Sequence, residues 1–452
     1  MSTARSVAYE TIRAVHDSDA YANLALPAAI ARAGLDAKDA ALATELAYGT
    51  LRRQGTYDAV IAAAADRPTD RIGPEVLDAL RLGCHQLLST RIASHAAVNE
   101  TVSLARGAAG QAASGFANAV LRRIARETPG AWYDRIERRA RSDDERTGLA
   151  FAHPVWIIRA FRRALTAEGR ADELEDLLRA DNAAPRVTMA ALPGLADPPP
   201  DAEPALYAPT AFRLPGGDPD PVVRGSGGAL RVQDEGSQLV ALALSRLTPV
   251  RPGERWLDLC AGPGGKTALL AAEALRGGAS LDANEIAPAR AGLVRNAVAP
   301  VPATVEVSEE DGRERATRAP AAYDRILVDA PCTGLGALRR RPEARWRKQP
   351  SDVAALVDLQ RELLDAAITA LAPGGVVAYV TCSPHLAETT GVVADVLRTR
   401  GEEVEQLDAR AALRSVARQP VDLAGPEGSL HAQLWPHRHG TDAMFLALLR
   451  RR

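Results

Sequence analysis

The sequence predicts a multidomain chain: an all-α helical bundle, a small α/β module, and an α/β domain of the Rossmann-like class. Three observations carry this. At 452 residues the chain is too long for one ordinary core, because domains cluster near ~100–150 residues. Apolar residues recur at helical spacing through the first third. In the last half, short strand patterns alternate with helices, which predicts a parallel sheet covered on both faces. Hydrophobic residues make up 46% and charged residues 25%, so wholesale disorder is excluded. The formal net charge of −2 means that any nucleic-acid role must come from local patches. No apolar run approaches the ~18 residues of a membrane span, and residues 1–5 lead straight into a charged helical pattern. Four cysteines in this length argue against a disulfide scaffold and for a reducing compartment. A cytoplasmic location without a membrane partner is expected.

Residues 1–140 form the bundle, with helices expected over Ser6–Val15, Ala40–Leu51, Val76–Leu88 and Ala97–Ala105. Breaks are expected at Pro27, Gly34, Arg67–Asp70 and Gly107. This part offers no phosphate loop or ligand cluster, so a binding role is expected, with Cys84 in its core. Residues 141–229 form the small module: helices over Val155–Ala164 and Ala171–Ala180, a strand over Arg186–Ala190, then a Pro/Gly-rich tract. From 230 to 452, strands are expected at Trp256–Leu259, Ser280–Asn284, Thr304–Val307, Arg325–Val328 and Val376–Val380. Helices are expected at Lys266–Leu275, Pro288–Val298 and Val353–Leu371. Parallel sheets bind ligands at the carboxyl ends of their strands, and the chemically suggestive motifs fall there.

The first motif is Asp258-Leu259-Cys260-Ala261-Gly262-Pro263-Gly264-Gly265-Lys266-Thr267, between a strand and a helix. Small residues permit close backbone approach, and a helix N-terminus offers free N–H groups. A Walker A loop needs glycine where Cys260 stands, and the G-x-G-x-x-G pattern of dinucleotide binding is absent. What remains is a methyltransferase loop cradling the methionine end of S-adenosylmethionine. Glu285, at the end of the next strand, is placed for ribose hydroxyls, and Asp311 for the adenine amino group. Lys266 is one of only three lysines in an arginine-dominated chain, with Lys38 and Lys348.

The fourth strand runs into Asp329-Ala330-Pro331-Cys332-Thr333-Gly334 and the fifth into Thr381-Cys382-Ser383. Three of the four cysteines thus lie just beyond strand ends, whereas core cysteines belong inside elements. No C-x-x-C or neighbouring histidine supports a metal site, and His437 and His439 are assigned to a C-terminal loop. A thiol beside a methyl donor has a specific use. Carbon 5 of cytosine is a poor nucleophile until a thiolate adds to carbon 6. An acidic group near N3 and the exocyclic amine stabilises the developing charge, and Asp329 is placed for it. A second cysteine, such as Cys332, assists departure of the carbon 5 proton and the enzyme sulfur. Spacing does not say which thiol has which role. The run from Arg339 to Lys348 places six basic groups around Trp346, a pattern suited to phosphates and stacked bases. A second cluster, Arg122, Arg123, Arg126, Arg135, Arg138, Arg139 and Arg141, closes the bundle.

The three carboxyl-terminal motifs resemble those of the Sun/Fmu-type RNA cytosine-5 methyltransferases of the RsmB/NOP/SUN family. The bundle resembles NusB-like RNA-binding domains through Leu80-Arg81-Leu82-Gly83, His95-Ala96-Ala97-Val98-Asn99-Glu100 and Asn118-Ala119-Val120-Leu121-Arg122. The resemblance implies an enzyme that makes 5-methylcytosine in 16S ribosomal RNA through a covalent cysteine–cytosine intermediate. It implies Cys382 as nucleophile and Cys332 in product release. It further implies S-adenosylmethionine held by Cys260, Ala261, Gly262, Pro263, Gly264, Gly265, Lys266, Glu285, Asp311 and Asp329. RNA is the expected partner, no metal is expected, and the chain is expected to be a monomer. Glu285 stands where many relatives carry aspartate. Two rival readings remain: the same chemistry on tRNA or another rRNA site, and an antitermination-type RNA-binding factor with a vestigial catalytic half. Both cysteines and the intact loop argue against the second.

Overall fold

A computed structural model describes residues 3–18 and 20–452. By contacts the chain forms two units, Met1–Arg159 with Leu338–Gln349, and Ala160–Ala337 with Pro350–Arg452. Residues 141–159 therefore pack with the helices and residues 160–229 with the large sheet, so the composition boundaries at 140 and 229 are not where the contacts divide.

The first unit is helical because its apolar residues repeat at helical spacing and its helix ends are capped. Thr3 and Ser6 form a reciprocal capping box on Ala4–Asp17, and Asp36 caps Ala37–Arg52. Pro27 does not break the chain; it lies inside Ala22–Ala33, where burial of Leu26 and Ala29 outweighs the missing N–H. The expected break at Gly107 is also displaced. The helix Ser94–Ala125 passes through it and is interrupted at Gly110, whose φ of 82° suits a residue without a side chain. Cys84 is buried in the core with Tyr57, Leu80, Leu121 and Trp132.

The Arg339–Lys348 run corrects the sequence reading most. Arg345 is fully buried, and its Nη1 donates to the carbonyls of Ala152 (3.0 Å) and Arg52 (3.3 Å). The Trp346 indole N–H donates to the Leu51 carbonyl at 2.7 Å, and Arg347 Nη2 donates to those of Val15 and Ala20 at 2.6 Å. Backbone carbonyls and a ring face engage these groups: the Arg341 and Arg347 guanidiniums both lie over the Tyr21 ring. The segment is a packed part of the helical unit.

In the second unit, β1 (Thr188–Ala191), β2 (Glu203–Pro204), β3 (Ala211–Arg213) and β4 (Leu230–Val232) form an antiparallel sheet of order β2-β3-β1-β4. The large sheet contains β5 (Arg255–Asp258), β6 (Ser280–Asn284), β7 (Glu306–Ser308), β8 (Tyr323–Asp329), β9 (Leu371–Thr381), β10 (Val404–Leu407), β11 (Ala432–Gln433) and β12 (Phe445–Arg451). Its order is β10-β12-β9-β8-β5-β6-β7, with β11 beside β12. Strands β5 to β9 are parallel, as expected, but β10, β11 and β12 are antiparallel, so the sheet is mixed. The missed β12 is a continuous apolar run, buried on both faces, whose period cannot separate strand from helix. His437 and His439 fall in a short helix, Pro436–His439, rather than a loop. Among the described residues, no helix is long and apolar enough to cross a membrane.

Candidate active site

The parallel strands β5, β6, β7, β8 and β9 end on one edge of the sheet, which gathers the sequence-predicted residues. Chain reversal after β5 places Cys260 to Gly264 between Asp258 and the helix Gly265–Gly277. Gly264 has φ +102°, and a Cβ there would lie 2.4 Å from that of Ala297. At Gly262 a Cβ would lie 2.2 Å from Glu285 Oε2. These two glycines are thus required by the protein's own packing; at Gly265 a Cβ would meet only ordinary contacts.

Glu285 is buried and organises the loop. Its Oε2 accepts the Gly262 N–H at 3.1 Å, its Oε1 accepts the Ala287 N–H at 3.0 Å, and Arg290 pairs with it at 3.4 Å. Asp311 lies past β7, where it caps the helix Gly312–Thr317 and takes Arg313 on both oxygens. The Arg313 hydrogen bond holds its carboxyl below the usual range. Lys266 Nζ pairs with Asp329 Oδ2 at 2.9 Å. Burial alone would lower the Lys266 ammonium, but Asp329 and the Cys382 sulfur outweigh it and hold it above its ordinary value.

Asp258, which the sequence reading passed over, is buried at the end of β5. Thr267 Oγ1 donates to its Oδ2 at 2.7 Å. Burial, with Asp329's charge adding and Thr267 opposing, pushes its carboxyl up to about 7. An unfolded aspartate ionises near ~3.9, so the ionisation penalty grows as pH rises from there to about 7. Asp258→Asn, uncharged and of the same shape, should therefore gain thermal stability over the wild type progressively across that window. A difference in unfolding midpoint that stays flat from pH 4 to pH 8 would rule out a buried ionisable Asp258.

Strands β8 and β9 are neighbours, with Asp329 opposite Val380, and the segments beyond them bring Cys332 Sγ within 3.5 Å of Cys382 Sγ. The hydrogen bond to Cys382, with burial and the charge of Cys382 adding, pushes the Cys332 thiol well above its ordinary value. Cys260 stands apart from this pair in the glycine loop, its thiol raised by burial. The three loop residues Ala261, Pro263 and Gly265 contribute backbone rather than functional groups. Behind the thiols lies Glu388, buried and unnoticed in the sequence, where its only signal is a place six residues after Cys382. Among the described residues no group of three histidine, cysteine or carboxylate side chains could hold a metal ion.

The chain is similar to known proteins. The family described as 16S rRNA methyltransferase RsmB/F matches residues 245–450, and the NusB family matches residues 2–126. A Mycobacterium tuberculosis protein whose name goes no further than methyltransferase is 52% identical over all of this chain and 97% of its own length. The ribosomal RNA small subunit methyltransferase B of Pseudomonas putida is 34% identical over 91% of this chain and 92% of its own. Among solved structures, the crystal structure of PH0851 matches with a TM-score of 0.81 at 23% identity, covering 99% of this chain and 98% of the other.

Proposed function

We propose that this chain, which belongs to the 16S rRNA methyltransferase RsmB/F family, makes 5-methylcytosine in 16S ribosomal RNA with S-adenosylmethionine as methyl donor. The observation that carries the chemistry is the pair of thiols 3.5 Å apart, beside the Lys266–Asp329 pair, at the carboxyl edge of the sheet. The donor's fit is chemical. Asp329 at the end of β8, Glu285 after β6 and Asp311 after β7 lie on one edge of the sheet, a set suited to a ligand with sulfonium and ammonium charges and ribose hydroxyls. When bound, S-adenosylmethionine supplies an electrophilic sulfonium methyl group.

Cys382 acts as nucleophile: its thiolate adds to carbon 6 of the cytosine, and the electron pair moves to carbon 5, which takes the methyl group. Asp329, bonded to the Lys266 ammonium, faces N3 and the exocyclic amine; it accepts the amine N–H and, as the acid, hands N3 the proton that offsets the negative charge developing in the ring. The carbon 5 proton then leaves and the carbon 6–sulfur bond breaks, returning the Cys382 thiolate. Cys332 assists that release by taking the carbon 5 proton as its thiolate, once bonding of Cys382 to carbon 6 has removed the neighbouring thiol that opposes its ionisation. The donor is held by Cys260 to Lys266 with Glu285, Asp311 and Asp329.

Bisulfite sequencing of ribosomal and transfer RNA from cells lacking the protein tests this function. Loss of one methylated cytosine in 16S rRNA is expected, restored by the wild-type gene. Loss confined to tRNA would move the same chemistry to another substrate. Glu285→Ala should weaken donor binding in the absence of RNA by roughly 1–3 kcal/mol, the scale of a charged hydrogen bond. Calorimetry showing unchanged affinity would remove Glu285 from the donor site.

The helical unit supplies RNA affinity in this reading, in keeping with its NusB-family match and the cytoplasmic setting of rRNA modification. All of this cluster but Arg135 is exposed; Arg123 is paired with Asp66, Arg135 with Glu127 and Arg141 with Glu145, and Arg122, Arg126, Arg138 and Arg139 are the four exposed arginines outside these pairs. Replacing the four exposed arginines with alanine should weaken RNA binding and flatten its salt dependence, each lost phosphate contact lowering the slope by about 0.7–0.9. A slope unaltered in a filter-binding titration would place the RNA elsewhere.

A further inference from the structure

We propose that Glu388 is a positioning residue whose one buried carboxylate grips the residue after each thiol, Thr333 and Ser383, and so sets the separation of Cys332 and Cys382. The inference rests on the reading of those two cysteines as the reacting pair. Glu388 is fully buried, and burying a carboxylate costs much unless hydrogen bonds replace its water. Four donors do so here. Its Oε1 accepts the Thr333 N–H at 2.7 Å and Gln360 Nε2 at 3.3 Å. Its Oε2 accepts the Thr333 hydroxyl at 2.5 Å and the Ser383 hydroxyl at 2.7 Å.

The identity of those donors matters. Thr333 directly follows Cys332, and Ser383 directly follows Cys382. Gln360 also donates to the Pro331 carbonyl at 2.8 Å, so the same network holds the residue before Cys332. The Thr333 and Ser383 hydroxyls are themselves 3.2 Å apart. Sheet-like pairing guides the two segments only as far as the Ala330 N–H, which donates to the Val380 carbonyl, and the next backbone bond between them is from the Gly336 N–H to the Cys382 carbonyl. Between those points the Cys332 segment is fastened by its bonds to Glu388. Glu388 is itself anchored from the core, its carbonyl accepting the Tyr379 hydroxyl at 2.7 Å. A carboxylate that only satisfied its own helix end would have no need to collect a donor from beside each thiol.

Glu388→Gln tests this, because an amide keeps the shape but offers one accepting oxygen and turns an NH₂ toward the Thr333 or Ser383 donors. The first readout is disulfide closure between Cys332 and Cys382 in full-length enzyme treated with diamide, measured by mass spectrometry after alkylation. Closure forms the sulfur–sulfur bond, and the two thiols' protons and electrons pass to the diazene, which becomes a hydrazine. The second readout is turnover with rRNA and S-adenosylmethionine. With the melting midpoint essentially kept, closure should slow by about tenfold or more, and kcat should fall by at least about tenfold at unchanged RNA KM, as misplacement of reacting groups predicts. Closure at the wild-type rate would overturn the proposal. Should Glu388→Gln not fold, Ser383→Ala removes one donor from the same carboxylate and should slow closure several-fold; wild-type closure there would overturn it equally. A wild-type enzyme that closes its disulfide readily yet never methylates RNA would end the functional reading while leaving the positioning role in place.

Discussion

Cys382→Ala should abolish both methyl transfer and the covalent enzyme–RNA complex, whereas Cys332→Ala should accumulate that complex. The two outcomes differ because the thiols act at opposite ends of the reaction. Without Cys382 nothing adds to carbon 6, and carbon 5 remains too poor a nucleophile to take a methyl group. Without Cys332 addition and methylation proceed, but proton loss and carbon–sulfur cleavage slow, so enzyme stays bonded to methylated RNA. The 3.5 Å contact sets the second sulfur beside the first, where it can act on the same cytosine ring. Labelled rRNA and donor on a denaturing gel give the readout, as a slow-migrating band from Cys332→Ala alone. A band from Cys382→Ala, with Cys332→Ala inert, would reverse the assignment and make Cys332 the nucleophile.

Arg345→Ala should unfold the helical unit far more readily than any loss of an RNA contact would allow. The fully buried guanidinium donates to two backbone carbonyls, that of Ala152 just past a helix end and that of Arg52 in a helix, and alanine leaves both without that partner in a dry interior. Each stranded carbonyl costs about 1–3 kcal/mol, and the vacated volume adds to it. Trp346→Ala should cost about 3 kcal/mol, the low end for a core tryptophan because the ring is partly buried, since it empties the ring's place against Gly55, where even a Cβ would come within 2.5 Å. Thermal unfolding checks both. If either variant melts like the wild type and loses only RNA affinity, the segment is a nucleic-acid surface after all.

How much of this was legible in the sequence depended on the range of the interaction. Local periodicity and strand-end chemistry alone identified a helical amino-terminal part, a parallel βα core, and the motifs at Cys260–Lys266, Asp329–Cys332 and Thr381–Ser383. The Ser280–Asn284 strand and the Pro288–Val298 helix were recovered to the residue, because alternation and a proline at the first helical turn are local signals. Since parallel strands present their carboxyl ends on one edge, even the gathering of these motifs followed from the strand order. Only the tertiary structure decided the rest. Arg345, Trp346 and Arg347 read as a solvated, RNA-facing run because charge on a sequence does not disclose a carbonyl about 300 residues away. Strand β12 stayed hidden because burial on both faces erases alternation. Glu388 and the carboxyl of Asp258 drew no reading from the sequence at all. What sets them apart is burial and the donors that folding brings from distant segments, and neither is written in any short stretch of chain.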